Sequence, residues 1–202
     1  SYGRKRKQCI SYDSDRSFGF GNAIKLKIME ENKIFTISVY SENNVGLLNR
    51  ISGIFLKRHI NILSLNVSES EIENVSRFII VVKTTEKWVQ NIVGQIEKQI
   101  EVIKAFYHID EETIFLESAI FKIESSLLFD ERQIQNIIKE SHSEIVTVSR
   151  DFFVISKSGK RSEINELYEK LKPYGIMQFV RSGRISVSKQ KMEVTTLLEE
   201  LK

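Results

Sequence analysis

Ser41-Glu42-Asn43-Asn44-Val45-Gly46-Leu47-Leu48-Asn49-Arg50 is the stretch on which the fold turns. Upstream of it, Phe35, Ile37 and Val39 alternate with Thr36 and Ser38, the period of two that marks a half-buried strand. Downstream, Leu48, Ile51 and Phe55, with Leu47 and Ile54 beside them, make the apolar stripe of a helix. Asn43 and Asn44 lie between the two and read as turn and helix N-cap residues. After the helix, Asn61-Ile62 opens a second alternating run through Leu63, Leu65 and Val67. The order is strand, short turn, helix, strand.

The turn has chemistry of its own. A helix N-terminus carries unpaired backbone N–H groups and a partial positive charge, a natural seat for a carboxylate. Gly46 has no Cβ, so a ligand can come close to the backbone there. Asn43 and Asn61 each present an amide that accepts from an ammonium and donates to a carboxylate. Together they suit a zwitterionic amino acid. The same residues also read as plain structure, with Asn43 capping the helix, Gly46 easing the turn and Asn61 closing the far end.

Outward from this core the pattern completes itself and then repeats. Ser68 to Asn74 is a polar hairpin loop, and Phe78 to Val82 is a continuous apolar run that suits a central strand. Thr85 caps a helix carrying Val89, Ile92, Val93, Ile96 and Ile100, and Val102 to Tyr107 is a fourth strand. This is the β-α-β-β-α-β plan of ferredoxin-like folds, which right-handed crossovers build with both helices on one face of the sheet. A second set follows. Strands are expected at Ile120–Ile123, Ile145–Val148, Phe152–Ile155 and Ile176–Val180. One helix carries Ile134, Ile137 and Ile138; another starts at Ser162 and ends before Pro173. The expected fold class is therefore α+β, two tandem ferredoxin-like βαββαβ modules. Each has about 75 residues, a size at which burial in a dimer helps.

The residues of the turn carry a family resemblance. Glu42-Asn43-Asn44-Val45-Gly46-Leu47-Leu48-Asn49-Arg50, Gly53-Ile54-Phe55 and Arg58-His59-Ile60-Asn61-Ile62-Leu63-Ser64-Leu65 resemble the N-terminal ACT domain of acetolactate synthase (acetohydroxyacid synthase) regulatory, or small, subunits. The likeness continues through Gln95–Gln99 and Val102-Ile103, and returns at Val180-Arg181-Ser182-Gly183 and Ser186-Val187-Ser188. Val45 stands where that family usually has Pro, Leu47 where a smaller residue is common, and Ile60 where Tyr is frequent. Leu47 on this reading narrows the ligand pocket.

The resemblance implies a division into a disordered basic extension (1–32), an ACT domain for effector binding and dimerisation (33–109), a linker (110–118), a C-terminal ferredoxin-like domain (119–188) and a tail (189–202). It implies a non-catalytic subunit that activates a separate catalytic (large) subunit. It also implies feedback inhibition by a branched-chain amino acid, usually valine. Thiamine diphosphate, Mg and FAD belong to that partner, and this chain needs no cofactor. The effector is expected between ACT domains of a homodimer. Asn43, Gly46, Leu47, Asn61 and Ile62 are its matching positions, with the Gly46 and Leu47 N–H groups on the carboxylate and Ile62 against the side chain. The residues alone leave a second reading open, a free-standing ACT-type amino-acid sensor acting on another enzyme or on transcription.

Composition narrows the rest. With 202 residues, 41% hydrophobic and 28% charged, the chain has an ordinary globular balance, and no apolar run approaches a membrane span of ~18 residues. Residues 1–28 hold seven basic side chains against Asp13 and Asp15, so the net charge of +3 belongs to a periodicity-free N-terminal segment and not to a basic stripe on the fold. No nucleic-acid or membrane partner is expected. No apolar segment of a signal peptide follows Arg4–Lys7, and the single Cys9 fits a reducing cytoplasm. His59, His108 and His142 have no metal-ligand spacing and no nucleophile–base set is suggested, so neither a metal nor a catalytic site is expected.

Overall fold

The computed structural model describes residues 32–130, 132–191 and 196. The expectations for the basic extension up to residue 31, and for a helix with Leu197, Leu198 and Leu201, lie outside them. The first module runs β1 (Lys33–Glu42), α1 (Leu47–Leu56), β2 (Ile62–Glu69), β3 (Val75–Thr84), α2 (Glu86–Ile96) and β4 (Val102–Ile109). Its antiparallel sheet has the spatial order β2-β3-β1-β4. Phe35, Ile37 and Val39 of β1 and Phe78, Ile80 and Val82 of β3 face Leu47, Ile51 and Phe55 of α1 and Val89, Ile92 and Ile96 of α2 in one core. Both helices thus cover one face, and β2 is left as an outer strand with Leu63, Leu65 and Val67 exposed.

A 3-10 turn, Asp110–Glu112, leads into the second module. That module comprises β5 (Thr113–Glu124), α3 (Ser126–Asp130), α4 (Arg132–Glu140), β6 (Glu144–Val148), β7 (Phe152–Gly159), α5 (Arg161–Leu171), β8 (Ile176–Arg181) and β9 (Ile185–Ser188). Four strands order as β6-β7-β5-β8 over a core of Phe121, Ile123, Phe153, Ile155, Ile164 and Leu167. The fold is α+β, with the βαββαβ order in both sheets.

Residues 113–118 are strand and not linker. Thr113 to Leu116 pair with β9, from Thr113↔Ser188 to Leu116↔Ile185, and Glu117 and Ser118 pair with Gly159 and Ser158 of β7, distant partners that local sequence cannot announce. Thr113 and Ser186 on this ribbon are buried, while Ile114, Leu116, Ile185 and Val187 on its other side are exposed. The expected caps also shift. α1 has Gly46 at its N-cap and not Asn43 or Asn44; the Thr85 hydroxyl makes no cap bond; and α5 starts at Arg161 after Lys160, one residue before Ser162. Pro173 sits in the 3-10 turn Lys172–Tyr174 that ends α5. Among the described residues no helix is long and apolar enough to cross a membrane.

Candidate functional site

The turn between β1 and α1 is built by a glycine in the left-handed region. Gly46 has φ +88° and ψ −8°, a conformation L residues adopt only at a cost. It directs the chain from the end of β1 into the helix within four residues, which is why neither asparagine reaches the cap position. The asparagines brace the turn instead. Asn43 N–H donates to the Asn74 carbonyl at 3.0 Å, Asn44 N–H to the Glu42 carbonyl at 2.9 Å, and Asn44 Nδ2 to Glu42 Oε2 at 3.1 Å.

The backbone donors at this helix start are open. Arg50 N–H reaches the Gly46 carbonyl at 3.2 Å, and Leu47 N–H lies a long 3.5 Å from the Asn44 carbonyl. Among the described residues no acceptor meets the N–H groups of Gly46, Leu48 or Asn49. A Cβ at Gly46 would meet no atom within 4 Å, so the turn is open to solvent beside this residue. Unpaired donors at a positive helix end, with room beside them, can hold a small anion.

The five residues expected to form the site fall into two groups. Asn43 and Gly46 are exposed at the turn. The Leu47 side chain does not border open space: it is 1% exposed in the first core, because the helix begins there with its apolar face already turned to the sheet. Leu47 therefore cannot narrow a pocket, though its backbone stays at the turn. Asn61 is exposed, and Ile62 is half-buried against the same core at the other end of α1. The register shows the separation. Ile62 pairs with Val82, which pairs with Phe35, seven residues before Glu42. At ~3.3 Å per residue the two groups stand about 23 Å apart within one chain.

One charged pair at the turn has no sequence signature. The Arg50 guanidinium, one helical turn after Gly46, is ion-paired with Glu101, and the Glu101 carbonyl accepts the Glu42 N–H at 2.9 Å. The partners are 51 residues apart. Glu101's own backbone N–H, with the Arg50 guanidinium adding to it, holds its carboxyl below the ordinary value of 4.5 against opposing desolvation. On the opposite face of the sheet, burial raises the Tyr40 hydroxyl above 10.0, with the nearby Arg77 working against it and Glu71 with it. Among the described residues no three His, Cys, Asp or Glu side chains cluster so as to hold a metal.

A βαββαβ sheet whose first turn is this glycine-capped helix start, followed by a second module of the same order, defines a protein of two tandem ferredoxin-like modules. Residues 37–104 match the family profile described as an AHAS small subunit-like ACT domain, and residues 116–190 match that of the small subunit of acetolactate synthase. The acetolactate synthase small subunit of Bacillus subtilis is 38% identical over 152 residues, covering 75% of this chain and 87% of that one. That of Mycolicibacterium smegmatis is 32% identical over 154 residues, covering 76% and 90%. The crystal structure of the acetolactate synthase small subunit from Thermotoga maritima superposes with a TM-score of 0.71 at 25% identity, covering 79% of this chain and 99% of that one. The chain belongs to the acetolactate synthase small-subunit family.

Proposed function

We propose that this chain is the non-catalytic, regulatory subunit of an acetolactate synthase. It raises the turnover of a separate catalytic subunit and makes that enzyme sensitive to a branched-chain amino acid, valine foremost. The catalytic partner holds thiamine diphosphate, Mg and FAD; this chain supplies an effector site and no reacting group. Family membership favours this over a free-standing sensor.

The observation that carries the reading is the open helix start at Gly46 together with its separation from Asn61-Ile62. One chain provides carboxylate donors at one end of α1 and an amide with an apolar wall at the other, and neither half is a pocket. β2 is an edge strand with its outer backbone groups open and Leu63, Leu65 and Val67 exposed. An edge of this kind is completed by another strand. A two-fold-related copy of β2 would join antiparallel, by the self-complementary rule for symmetric dimers. Glu69 pairs with Ser76, which pairs with Ser41, so the end of β2 is level with the Gly46 turn. Antiparallel pairing of β2 with its copy places the second protomer's Ile62 opposite Glu69, at the end of the sheet where that turn stands. Each dimer then has two sites, each joining one protomer's turn to the other's Asn61-Ile62.

The test is reconstitution. The purified chain with its catalytic subunit should make acetolactate from pyruvate faster than the catalytic subunit alone, and valine should cancel the gain. No increase in turnover, or acetolactate made by this chain alone, overturns the proposal.

A further inference from the structure

The strap Ser182–Ser188 crosses the first module close to one row of residues. Ser64 of β2 and Thr36 of β1 both pair with Val81 of β3, and Thr36 also pairs with His108 of β4. These four positions form a line across the whole sheet, on the face away from α1 and α2. The strap follows that line. Arg184 N–H donates to Ser64 Oγ at 2.9 Å, and Arg184 Nη1 donates to Thr36 Oγ1 at 3.0 Å and to Asp110 Oδ1 at 2.6 Å. Further along, Arg77 Nη2 donates to the Ser186 carbonyl at 2.5 Å, and Ser188 Oγ lies 3.3 Å from His108 Nε2.

Arg184 is 6% exposed, and its guanidinium lies 3.7 Å from the centre of the Phe115 ring on β5. A buried cation holds its place only while paired, so the side chain is locked between Thr36, Asp110 and Phe115. Gly183 fixes the other end. A Cβ there would sit 3.0 Å from the Leu65 carbonyl oxygen and 3.1 Å from Ser64 Oγ, so the strap lies directly against β2.

β2 begins at Ile62, directly after Asn61, and its register shifts between Ile62 and Ser64. Such a bulge interrupts the ladder and is where a strand most easily changes its aim. The covalent connection between the modules leaves from β4, the opposite edge of the sheet. Near the effector end of β2, Ser64 and Leu65 meet the second module at Gly183 and Arg184.

We infer that Arg184 is the positioning residue through which effector occupancy at Asn61-Ile62 is transmitted to the second module, by way of the bulge and Ser64. The inference rests on the effector site proposed above. A ligand bound beside the bulge shifts Ser64 Oγ, Arg184 follows it, and the β5–β9 ribbon to which Arg184 is joined moves with it. Thermodynamically, the strap carries the coupling free energy between valine and the catalytic subunit, which is reciprocal.

The experiment measures valine affinity by calorimetry for the full chain, alone and saturated with its catalytic subunit. In the wild type the two values should differ by about fivefold or more. Ser64→Ala removes only the oxygen that reads Arg184, and Arg184→Lys keeps the charge but loses the fork that spans Thr36 and Asp110. In both, the ratio should fall toward one, while affinity on the chain alone stays within about twofold of wild type. If Arg184→Lys is too unstable to purify, Ser64→Ala decides. A wild-type ratio in Ser64→Ala overturns the inference and leaves the effector site standing. Failure of the wild-type chain to bind valine, leucine or isoleucine overturns the site and the inference together.

Discussion

Substituting Gly46 separates backbone strain from ligand exclusion. The residue stands at φ +88°, and a Cβ would meet nothing within 4 Å, so a new side chain costs nothing by collision. The penalty is that of an L residue in the left-handed region, about 1–2 kcal/mol, partly offset by the freedom that glycine loses on folding, roughly 0.5–1 kcal/mol. Gly46→Ala should therefore destabilise the first module by about 1 kcal/mol, a melting shift of roughly 4–8 °C for a unit of this size. Asparagine tolerates the left-handed region far better, and Gly46→Asn should melt close to wild type. Both side chains take up space beside the turn, where the proposed seat must admit the ligand carboxylate. Both variants should thus weaken valine inhibition by roughly tenfold or more, the worth of a charge-assisted hydrogen bond or two, while still activating the catalytic subunit. Thermal melting paired with inhibition curves reads the two effects independently. Wild-type valine inhibition in Gly46→Asn would refute the carboxylate seat, and an unshifted melt in Gly46→Ala would refute the strain argument.

Three further outcomes follow from the geometry. Leu47→Ala opens a cavity in the first core, where the side chain is 1% exposed, and should cost about 2–5 kcal/mol in urea unfolding. If Leu47 instead bordered the effector, its truncation would change the ranking of valine, leucine and isoleucine with little loss of stability. Leu65→Lys puts a charge on the β2 edge and should yield a monomer by sedimentation that no longer responds to valine, whereas an unchanged dimer would exclude pairing through β2. Glu101 has a folded-state pKa below 4.5, so its pairing contributes stability above that value and loses it as the pH falls through the depressed one. The melting difference between wild type and Glu101→Gln should accordingly be present near neutral pH and narrow as the pH falls below 4.5. A gap that stays constant would mean that the folded chain does not favour the ionised form of this carboxylate.

Local pattern carried most of the fold. Phe35, Ile37 and Val39 alternate whatever lies beside them, and Leu47, Ile51 and Phe55 recur at the helical period, so both the elements and their core faces can be read from neighbours in the chain. The βαββαβ order and its repetition come from the same short-range information, as does the family motif at the turn. Tertiary structure decided whatever depends on a distant partner. Residues 113–116 are strand because β9 pairs with them, residues 117 and 118 because β7 does, and Arg50 is held by a glutamate 51 positions away. Arg184 is buried because Thr36, Asp110 and Phe115 converge on it from two strands and a turn. The site divides the same way. Sequence named Asn43, Gly46, Leu47, Asn61 and Ile62 as one set, since spacing records which residues share a motif. It does not record that α1 carries the chain back along the sheet between them, which sets the two halves about 23 Å apart and turns the Leu47 side chain into the core.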